Sequence, residues 1–324
     1  MISIAIPVYN EEKNLESLEI ELDKVMKSTG EDYEIIYIDD GSCDKSLAEL
    51  IKISQRDEKV KIIHLMRHYG QTEAMQAGID YSKGRILVFM DADGQNDPRD
   101  IPRLLAKIEE GYDVVSGWRK DRKDPLLTRR LPSFLANKLI SVVTGLKLND
   151  YGCTLKAYKK EAIKGVKLYG EMHRFIPVYA AMKGYSVAEV EVSHNKRTYG
   201  KSKYGLLRIF KVILDLFTVR FIGSYLTKPI YLFGGIGLCL FLCGILVGVF
   251  VVIRKVVFGG IWISPLLFIT ITLLIMGVQF ILMGLLAEII IRIYYRSQTE
   301  APYLIKRIIK SKRPVPNLTR REKV

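Results

Sequence analysis

Two long apolar segments near the carboxyl-terminal end constrain the fold of this chain most strongly. Residues 230–253 carry no charged side chain, and residues 265–291 carry only Glu288. Each segment is long enough to cross the roughly 30 Å hydrocarbon core of a bilayer as a helix. Two buried core helices of this length, joined by a short basic loop, are the weaker interpretation. The sequence therefore predicts two transmembrane helices, at about 229–253 and 264–291.

The net charge of +14 is concentrated beside these apolar segments. Basic residues flank them on both sides: Lys201, Lys203, Arg208, Lys211, Arg220 and Lys228 before the first, and Arg292, Arg296, Lys306, Arg307, Lys310, Lys312, Arg313, Arg320, Arg321 and Lys323 after the second. The positive-inside rule then predicts a multi-pass protein of the inner (plasma) membrane with both termini in the cytoplasm. This position of the charge favours anionic lipid headgroups as its partner, and no nucleic acid is expected to bind.

Residues 1–195 alternate short apolar segments with amphipathic ones. The segments ISIAIPVY, YEIIYIDDGS, VKIIHLM and GRILVFMDAD predict strands, and EEKNLESLEIELDKVMKS, DKSLAELIKISQRD and QTEAMQAGIDYS predict helices. This pattern is typical of an α/β domain with a mostly parallel sheet covered by helices on both faces. Residues 196–228 predict a basic, amphipathic connector at the membrane interface, or else a soluble helix packed on the domain. The transmembrane pair, 229–291, and a basic tail, 292–324, complete the predicted organisation.

Acidic side chains follow the predicted strands at the point where each strand ends, in PVYNEE, DDGS and DADGQ. The carboxyl ends of parallel strands meet at one edge of a sheet, where ligands bind. The chain has no Gly-rich phosphate-binding loop, so a diphosphate would need another partner. A hard divalent cation can hold it, using one or two carboxylates together with the phosphates. Asp91 and Asp93 lie on the same side of an extended segment, and Gln95 offers a neutral oxygen beside them.

These motifs together resemble the membrane-bound polyisoprenyl-phosphate glycosyltransferases of glycosyltransferase family 2, such as bactoprenol glucosyltransferases and dolichyl-phosphate mannose synthases. The matching segments are IPVYNEE (6–12), YIDDGSCD (37–44), GQTEAMQAGID (70–80), MDADGQNDP (90–98), NDYGCTLKAYKKE (149–161) and YGKSKYG (199–205). The resemblance covers most of the first 205 residues, and two following spans with a basic tail match the bacterial branch. It implies a GT-A-type, Rossmann-like catalytic domain.

The resemblance also implies roles for individual residues in binding the donor, a sugar nucleotide. The implied nucleotide-binding residues are Pro7, Tyr9, Asn10, Glu11, Asp40 and Asp91, and the implied metal ligands are Asp91, Asp93 and Gln95. The metal, Mg²⁺ or Mn²⁺, would bridge the diphosphate and offset the charge of the departing nucleoside diphosphate.

The implied acceptor is a polyprenyl phosphate, most simply undecaprenyl phosphate. Two anionic groups must then approach each other, so fixed cations are needed between them. Arg119, Arg129 and Ser133 resemble lipid-phosphate binders, although the choice between Arg129 and Arg130 stays open. Lys201 and Lys203, in HNKRTYGKSKYG, are further predicted phosphate contacts.

Asp150 matches the position assigned as catalytic acid or base in this family. A phosphomonoester has a second pKa of about 6 and is largely dianionic at neutral pH. A strong general base is therefore not required. We accordingly expect Asp150 to orient a phosphate or sugar hydroxyl as much as to take a proton.

The sequence thus predicts a metal-dependent, inverting glycosyltransferase that charges a polyprenyl phosphate for modification of a cell-envelope glycan. By resemblance UDP-glucose is the first choice of donor, and UDP-N-acetylglucosamine, UDP-galactose, GDP-mannose and a modified arabinose are alternatives. Three other interpretations carry less weight: a processive polysaccharide synthase, a nucleotide-sugar-binding scaffold without catalysis, and a small transporter. The glycines of the first span, among them Gly237 and Gly244, are spaced for helix contact and suggest a homo-oligomer.

Histidines raise a further question about donor choice. His64 lies in a predicted strand and is interpreted as a core residue. His68, in MRHYGQ, occupies a position where the family is expected to have asparagine, and could alter sugar or nucleotide preference. His173 and Arg174 fall in a segment that the family places near the sugar pocket.

Overall fold

The computed structural model describes residues 1–120, 131–168, 172–195, 230–259, 265–297 and 301–310. The chain divides into two compact units. The first holds the amino-terminal residues and those from Ala301 onward, and the second holds the apolar segments between them. Each unit is described separately below.

The first unit is built on an eight-stranded sheet. Its strands are β1 (Ile2–Val8), β2 (Tyr33–Asp39), β3 (Val60–Leu65), β4 (Ile86–Phe89), β5 (Val114–Trp118), β6 (Lys156–Lys159), β7 (Val187–Glu191) and β8 (Ile305–Lys310). Its helices are α1 (Leu15–Thr29), α2 (Ser46–Arg56), α3 (Gln71–Tyr81), α4 (Ile101–Glu109), α5 (Leu131–Thr144), α6 (Lys160–Ile163) and α7 (Ile176–Met182), with short 3₁₀ turns at Pro98–Asp100 and Met172–Phe175.

The strands lie in the order β7-β5-β6-β4-β1-β2-β3-β8. β4, β1, β2 and β3 are mutually parallel, and β5 and β7 are parallel to each other. β6 runs antiparallel to both of its neighbours, β4 and β5, so β5 points the same way as β4. Six strands therefore end at one edge of the sheet, which confirms the predicted mostly parallel α/β architecture.

Two apolar cores cover the two faces of the sheet, because alternate side chains of a strand point to opposite faces. In β1, Ile4 and Ile6 belong to the core that contains the buried residues of α1 and α4. Ala5, between them, belongs to the opposite core, which contains residues of α3 and α7. The buried positions of α1 include Leu15 and Leu22, at helical spacing, as the periodicity predicts. Both faces are thus covered by helices.

The edge strand β8 was not predicted from the sequence. Residues 301–310 were assigned to the basic tail, yet Ile305–Lys310 pairs antiparallel with β3. Ile305 and Ile309 pack against the two cores, and the hydroxyl of Tyr303 donates to Asp80 Oδ2 at 2.7 Å. The segment IKRIIK is short and strongly basic, and its partner strand is more than 200 residues away in the chain. No local pattern therefore indicates the pairing.

The second unit is a pair of apolar helices, α8 (Ile230–Phe258) and α9 (Pro265–Ser297). Within them, Tyr231–Val257 and Pro265–Ile290 are long and apolar enough to cross a membrane, with mean hydropathies of 3.0 and 2.5. The two helices pack against each other along their length. Most of their large apolar side chains are exposed in the isolated chain, as expected for surfaces that face lipid.

Glycines bring α8 and α9 into close contact. A Cβ atom at Gly237 would lie 2.6 Å from the carbonyl oxygen of Gly277, and one at Gly277 would lie 2.8 Å from that of Gly237. At Gly244 the nearest neighbour would be the side chain of Leu274, at 3.0 Å. Small residues of α8 that suggested self-association therefore pack on α9 of the same chain. A homo-oligomer stays a prediction.

This contact predicts different outcomes for two glycine substitutions in α8. Gly237→Ile places a branched side chain against the backbone of α9 and is expected to lower the melting temperature by several degrees in mild detergent. Gly235→Ile is the matched control, because nothing lies within 4 Å of a Cβ at that position. The measurement is thermal unfolding followed by circular dichroism. Equal shifts for the two variants would contradict the glycine-mediated contact.

Candidate active site

The three acidic segments singled out in the sequence lie at the same edge of the sheet. β1 is paired in parallel with β2 on one side and with β4 on the other. The segments that follow these three strands therefore emerge side by side. Arg119 after β5 and His194 after β7 are brought to the same edge, because those strands run in the same direction. This edge collects most of the predicted site.

The segment after β1 is hydrogen-bonded to the loop after β2 and to the start of α2. Asn10 has a left-handed backbone conformation, with φ of 57°, and its side-chain oxygen accepts from the backbone N–H of Cys43 at 2.8 Å. The backbone N–H of Glu11 donates to the hydroxyl of Ser46 at 2.8 Å, and the Glu11 carboxylate accepts from Asn14. Asn10 and Glu11, both predicted nucleotide contacts, therefore also shape the loop.

Two neighbouring aspartates at the end of β2 have different partners. Asp39 is buried and lies 2.6 Å from Nδ1 of His64, the residue opposite it on β3, which agrees with a structural role for His64. Asp40 accepts from the backbone N–H groups of Tyr69 at 2.7 Å and Gly70 at 2.9 Å. Burial raises the pKa of Asp40, although these hydrogen bonds oppose the shift.

His68 completes the surroundings of Asp40. Its Nδ1 lies 2.8 Å from Asp40 Oδ2. Its ring stacks on that of Tyr9, with ring centroids 3.8 Å apart and an angle of 18° between the planes. Tyr9 and Asp40, both predicted to bind the nucleotide, are thus joined by the histidine that the sequence analysis had marked as unusual. Pro7 lies inside β1, opposite Ile38 of β2.

Asp91 and Asp93 lie in the turn after β4. Asp91 accepts a hydrogen bond from Nε2 of Gln71 at 2.8 Å. Asp93 is buried and accepts from the backbone N–H of Gln95 at 3.1 Å. Burial raises the pKa of Asp91 to about 6, and the neighbouring carboxylate of Asp93 adds to this effect. A buried carboxylate whose charge is disfavoured in this way is a suitable place for a cation.

The donor set suits Mg²⁺ or Mn²⁺ bound together with a substrate. Among the described residues, no three His, Cys, Asp or Glu side chains form a complete metal site. A magnesium ion in proteins is commonly held by one or two carboxylates plus substrate phosphates and water. Asp91, Asp93 and the amide oxygen of Gln95 could supply such a partial set.

His194 lies beside this turn and was not singled out in the sequence. It is buried, and its Nε2 is 3.3 Å from Nε2 of Gln95. The next residue, Asn195, donates its backbone N–H to the carbonyl of Gln95 at 3.0 Å. The residue follows β7, which had not been predicted, so no sequence signal linked it to Gln95.

Asp150 and Arg119 form a buried ion pair with two hydrogen bonds. Nε of Arg119 donates to Asp150 Oδ2 at 2.7 Å, and a terminal nitrogen donates to Oδ1 at 3.0 Å. Burial opposes the charge of Arg119, but Asp150 outweighs it and raises the pKa of the guanidinium. The predicted base and one predicted phosphate-binding residue are therefore partners of each other. The charge of Arg119 also opposes the rise in the pKa of Asp91.

The other predicted acceptor contacts fall on parts of the chain that are not described. Arg129, Arg130, Lys201 and Lys203 lie outside the described residues, and Ser133 belongs to α5 but its side chain lies outside them too.

His173 and Arg174 lie in the 3₁₀ turn before α7, and both are buried. Nδ1 of His173 is 2.7 Å from the hydroxyl of Thr72, the residue next to the Gln71 that binds Asp91. This contact fixes the turn close to the start of α3.

Comparison with known proteins identifies relatives of the whole chain. The model of the family described as Glycosyl transferase family 2 matches residues 3–166. The chain is 42% identical to the dodecaprenyl-phosphate galacturonate synthase of Rhizobium johnstonii, over 95% of this chain and 92% of the relative. It is 37% identical to the undecaprenyl-phosphate 4-deoxy-4-formamido-L-arabinose transferase of Proteus mirabilis, over 98% and 96% of the two chains.

A solved structure supports the fold. Glucosyl-3-phosphoglycerate synthase from Mycobacterium tuberculosis, crystallised with Mn²⁺, UDP and phosphoglyceric acid, superposes with a TM-score of 0.50 at 17% identity. The match covers 69% of this chain and 78% of that one.

The Arg119–Asp150 pair predicts non-additive effects on stability. Arg119→Met leaves a buried carboxylate uncompensated and is expected to cost about 3 kcal/mol. The double variant with Asp150→Asn is expected to melt closer to wild type than Arg119→Met alone, because it removes both charges. Lys120→Met is the control, since the Lys120–Glu191 pair is exposed, and a shift near zero is expected. Additive shifts in melting temperature would show that the two residues act independently.

Proposed function

The chain belongs to glycosyl transferase family 2, and from this premise we propose that it transfers a sugar from a nucleotide-sugar donor to a polyprenyl phosphate. The observation that carries the proposal is similarity over nearly the full chain to two transferases with different sugars. Their names share the acceptor class, a polyprenyl phosphate. A polyprenyl phosphate is a lipid, and a lipid acceptor agrees with the presence of two helices that are long and apolar enough to cross a membrane.

The donor nucleotide is proposed to bind along the edge where β1, β2 and β4 end. Tyr9 offers an aromatic face and Asp40 a carboxylate acceptor, while Pro7 near the end of β1 and the loop residues Asn10 and Glu11 surround them. Asp91, held by Gln71, would lie between the ribose and the metal. The contacts among these residues support a pocket of this composition.

A divalent cation is proposed to bind at Asp91, Asp93 and Gln95, with His194 next to Gln95. When bound, such an ion neutralises diphosphate charge and so makes the nucleoside diphosphate a better leaving group. The two acidic side chains would hold the ion, while the buried turn keeps them close together. The raised pKa of Asp91 beside Asp93 supports this assignment.

The acceptor phosphate needs cationic partners more than it needs a base. It is largely dianionic at neutral pH, and an oxygen of this dianion attacks C1 of the sugar while the bond from C1 to the nucleoside diphosphate breaks. In-line displacement of this kind inverts the anomeric centre. We propose that Arg119, Arg129, Ser133, Lys201 and Lys203 attract the phosphate. Asp150, through its two hydrogen bonds to Arg119, would position the guanidinium rather than act mainly as a base.

The donor sugar is the point where the comparisons depart from the sequence-based expectation. UDP-glucose was the first choice, but the names of the relatives speak of galacturonate and of a formamido-arabinose. They do not support glucose, whereas a modified arabinose was among the alternatives. We therefore place a hexuronate and a substituted arabinose ahead of glucose, with a uridine nucleotide as the carrier.

The protein is proposed to lie in the inner membrane, with the catalytic unit and both termini in the cytoplasm. The basic residues on both sides of the apolar helices support this topology through the positive-inside rule.

A transfer assay with purified protein tests the function. Undecaprenyl phosphate and Mn²⁺ are offered with radiolabelled UDP-galacturonate, UDP-4-deoxy-4-formamido-arabinose, UDP-glucose, UDP-N-acetylglucosamine, UDP-galactose and GDP-mannose. Label is expected in the organic phase with one donor. It should be lost with EDTA or with Asp93→Ala, and nuclear magnetic resonance should show an inverted linkage. UDP binding without transfer from any donor would favour the non-catalytic scaffold.

The raised pKa of Asp91 predicts how metal binding depends on pH. Asp91 carries a proton below about pH 6, and that proton must leave before the carboxylate can bind a cation. The affinity for Mn²⁺ in the presence of UDP is therefore expected to fall by up to about tenfold per pH unit below 6. Electron paramagnetic resonance between pH 5 and 8 measures free Mn²⁺. Asp91→Asn is the control for protonation of UDP itself, and a wild-type profile no steeper than that of this variant would exclude Asp91 as the titrating group.

A further inference from the structure

The side chain of His68 makes two contacts of a kind that a bound nucleobase would make. Its flat ring is stacked on Tyr9 at 3.8 Å, and its Nδ1 lies 2.8 Å from the carboxylate of Asp40. An aromatic face next to a carboxylate acceptor recognises a planar heterocycle that carries an N–H donor. Imidazole is such a heterocycle, and so is uracil, through its N3–H.

We propose that His68 occupies the nucleobase site of the protein itself, and that the uracil of the donor displaces it. This inference rests on the proposed function, in which Tyr9 and Asp40 bind the nucleotide. His68 then determines how tightly the donor binds, because every binding event must first break the stack on Tyr9 and the contact with Asp40.

The burial of Asp40 supports displacement. The side chain of Asp40 is only 3% exposed, whereas that of His68 is 50% exposed. The other groups shown to bind the Asp40 carboxylate are the backbone N–H groups of Tyr69 and Gly70, which belong to the loop and are fixed with it. His68 is therefore the partner of Asp40 that can move aside and let a ligand reach the carboxylate.

The packing of the loop limits this movement to the side chain. A Cβ at Gly41 would lie 2.4 Å from the backbone carbon of Arg67 and 2.6 Å from the backbone nitrogen of His68. Gly41 itself has a φ of +65°, which favours glycine. The backbone at 67–68 thus lies directly on the turn after β2. Rotation of His68 about its side-chain bonds clears the site without moving Asp40 or the backbone N–H groups that hold it.

The carboxylate of Asp40 favours a particular class of base. A base that replaces His68 must supply an N–H to Asp40, as uracil does at N3. Cytosine has an acceptor at that position and would face the carboxylate without a hydrogen. Asp40 therefore selects for a base with an N–H donor at this position, whereas His68 lowers the affinity for every base that must displace it.

Calorimetric titration of the full-length protein with UDP in detergent and Mn²⁺ tests the inference. His68→Ala removes the internal occupant and is expected to bind UDP about tenfold more tightly than wild type. His68→Phe keeps a ring on Tyr9 but cannot donate to Asp40, so its affinity should fall between the two. His68→Phe still tests the inference if His68→Ala fails to fold. The melting temperatures of the two variants show whether each one is folded.

Different results separate this inference from the proposed function. Asp40→Ala should weaken UDP binding strongly. If it does, but His68→Ala binds UDP equally or less tightly than wild type, then His68 is not displaced and the inference fails alone. If Asp40→Ala binds as wild type does, the nucleobase lies elsewhere, and both the placement of the donor and the role of His68 are wrong. Tighter binding by His68→Ala without sugar transfer from any donor would support the role of His68 and contradict the transferase function.

Discussion

The concentration of carboxylates at one edge of the sheet is the constraint on which the rest of the first unit depends. Parallel pairing of β1 with β2 and β4 brings Asp39, Asp40, Asp91 and Asp93 together, and burial makes each negative charge costly. The protein compensates two of them from within. His64 lies against Asp39, and two backbone N–H groups with His68 serve Asp40.

The remaining pair is arranged differently. Burial and the charge of Asp93 both raise the pKa of Asp91, and a cation at the turn after β4, as proposed, would offset this effect. The positive charge of Arg119 interacts with Asp91 in the same turn, and a hydrogen bond to Asp150 fixes the position of the Arg119 guanidinium. This arrangement is consistent with the proposed binding of a nucleoside diphosphate together with a metal ion.

The chain returns to the sheet after its apolar helices, and this return adds β8 to the edge of β3. Basic residues interpreted as lipid contacts, Lys306, Arg307 and Lys310, are consequently part of a strand. Both ends of the α8–α9 segment are therefore connected to the first unit. In the second unit, glycines allow the backbones of α8 and α9 to approach closely, so the two helices form a packed pair and not merely two separate anchors.

Local pattern was sufficient for much of this protein. The apolar length of α8 and α9, the period of α1 and the position of acids directly after β1, β2 and β4 follow from properties of neighbouring residues, and the motifs pointed to the family. Tertiary structure alone decided three features, because each joins residues far apart in the chain. It paired β8 with β3, it joined Arg119 to Asp150, and it placed His68 between Tyr9 and Asp40. Sequence periodicity reports which face of an element is buried, but not which distant side chain will meet it there.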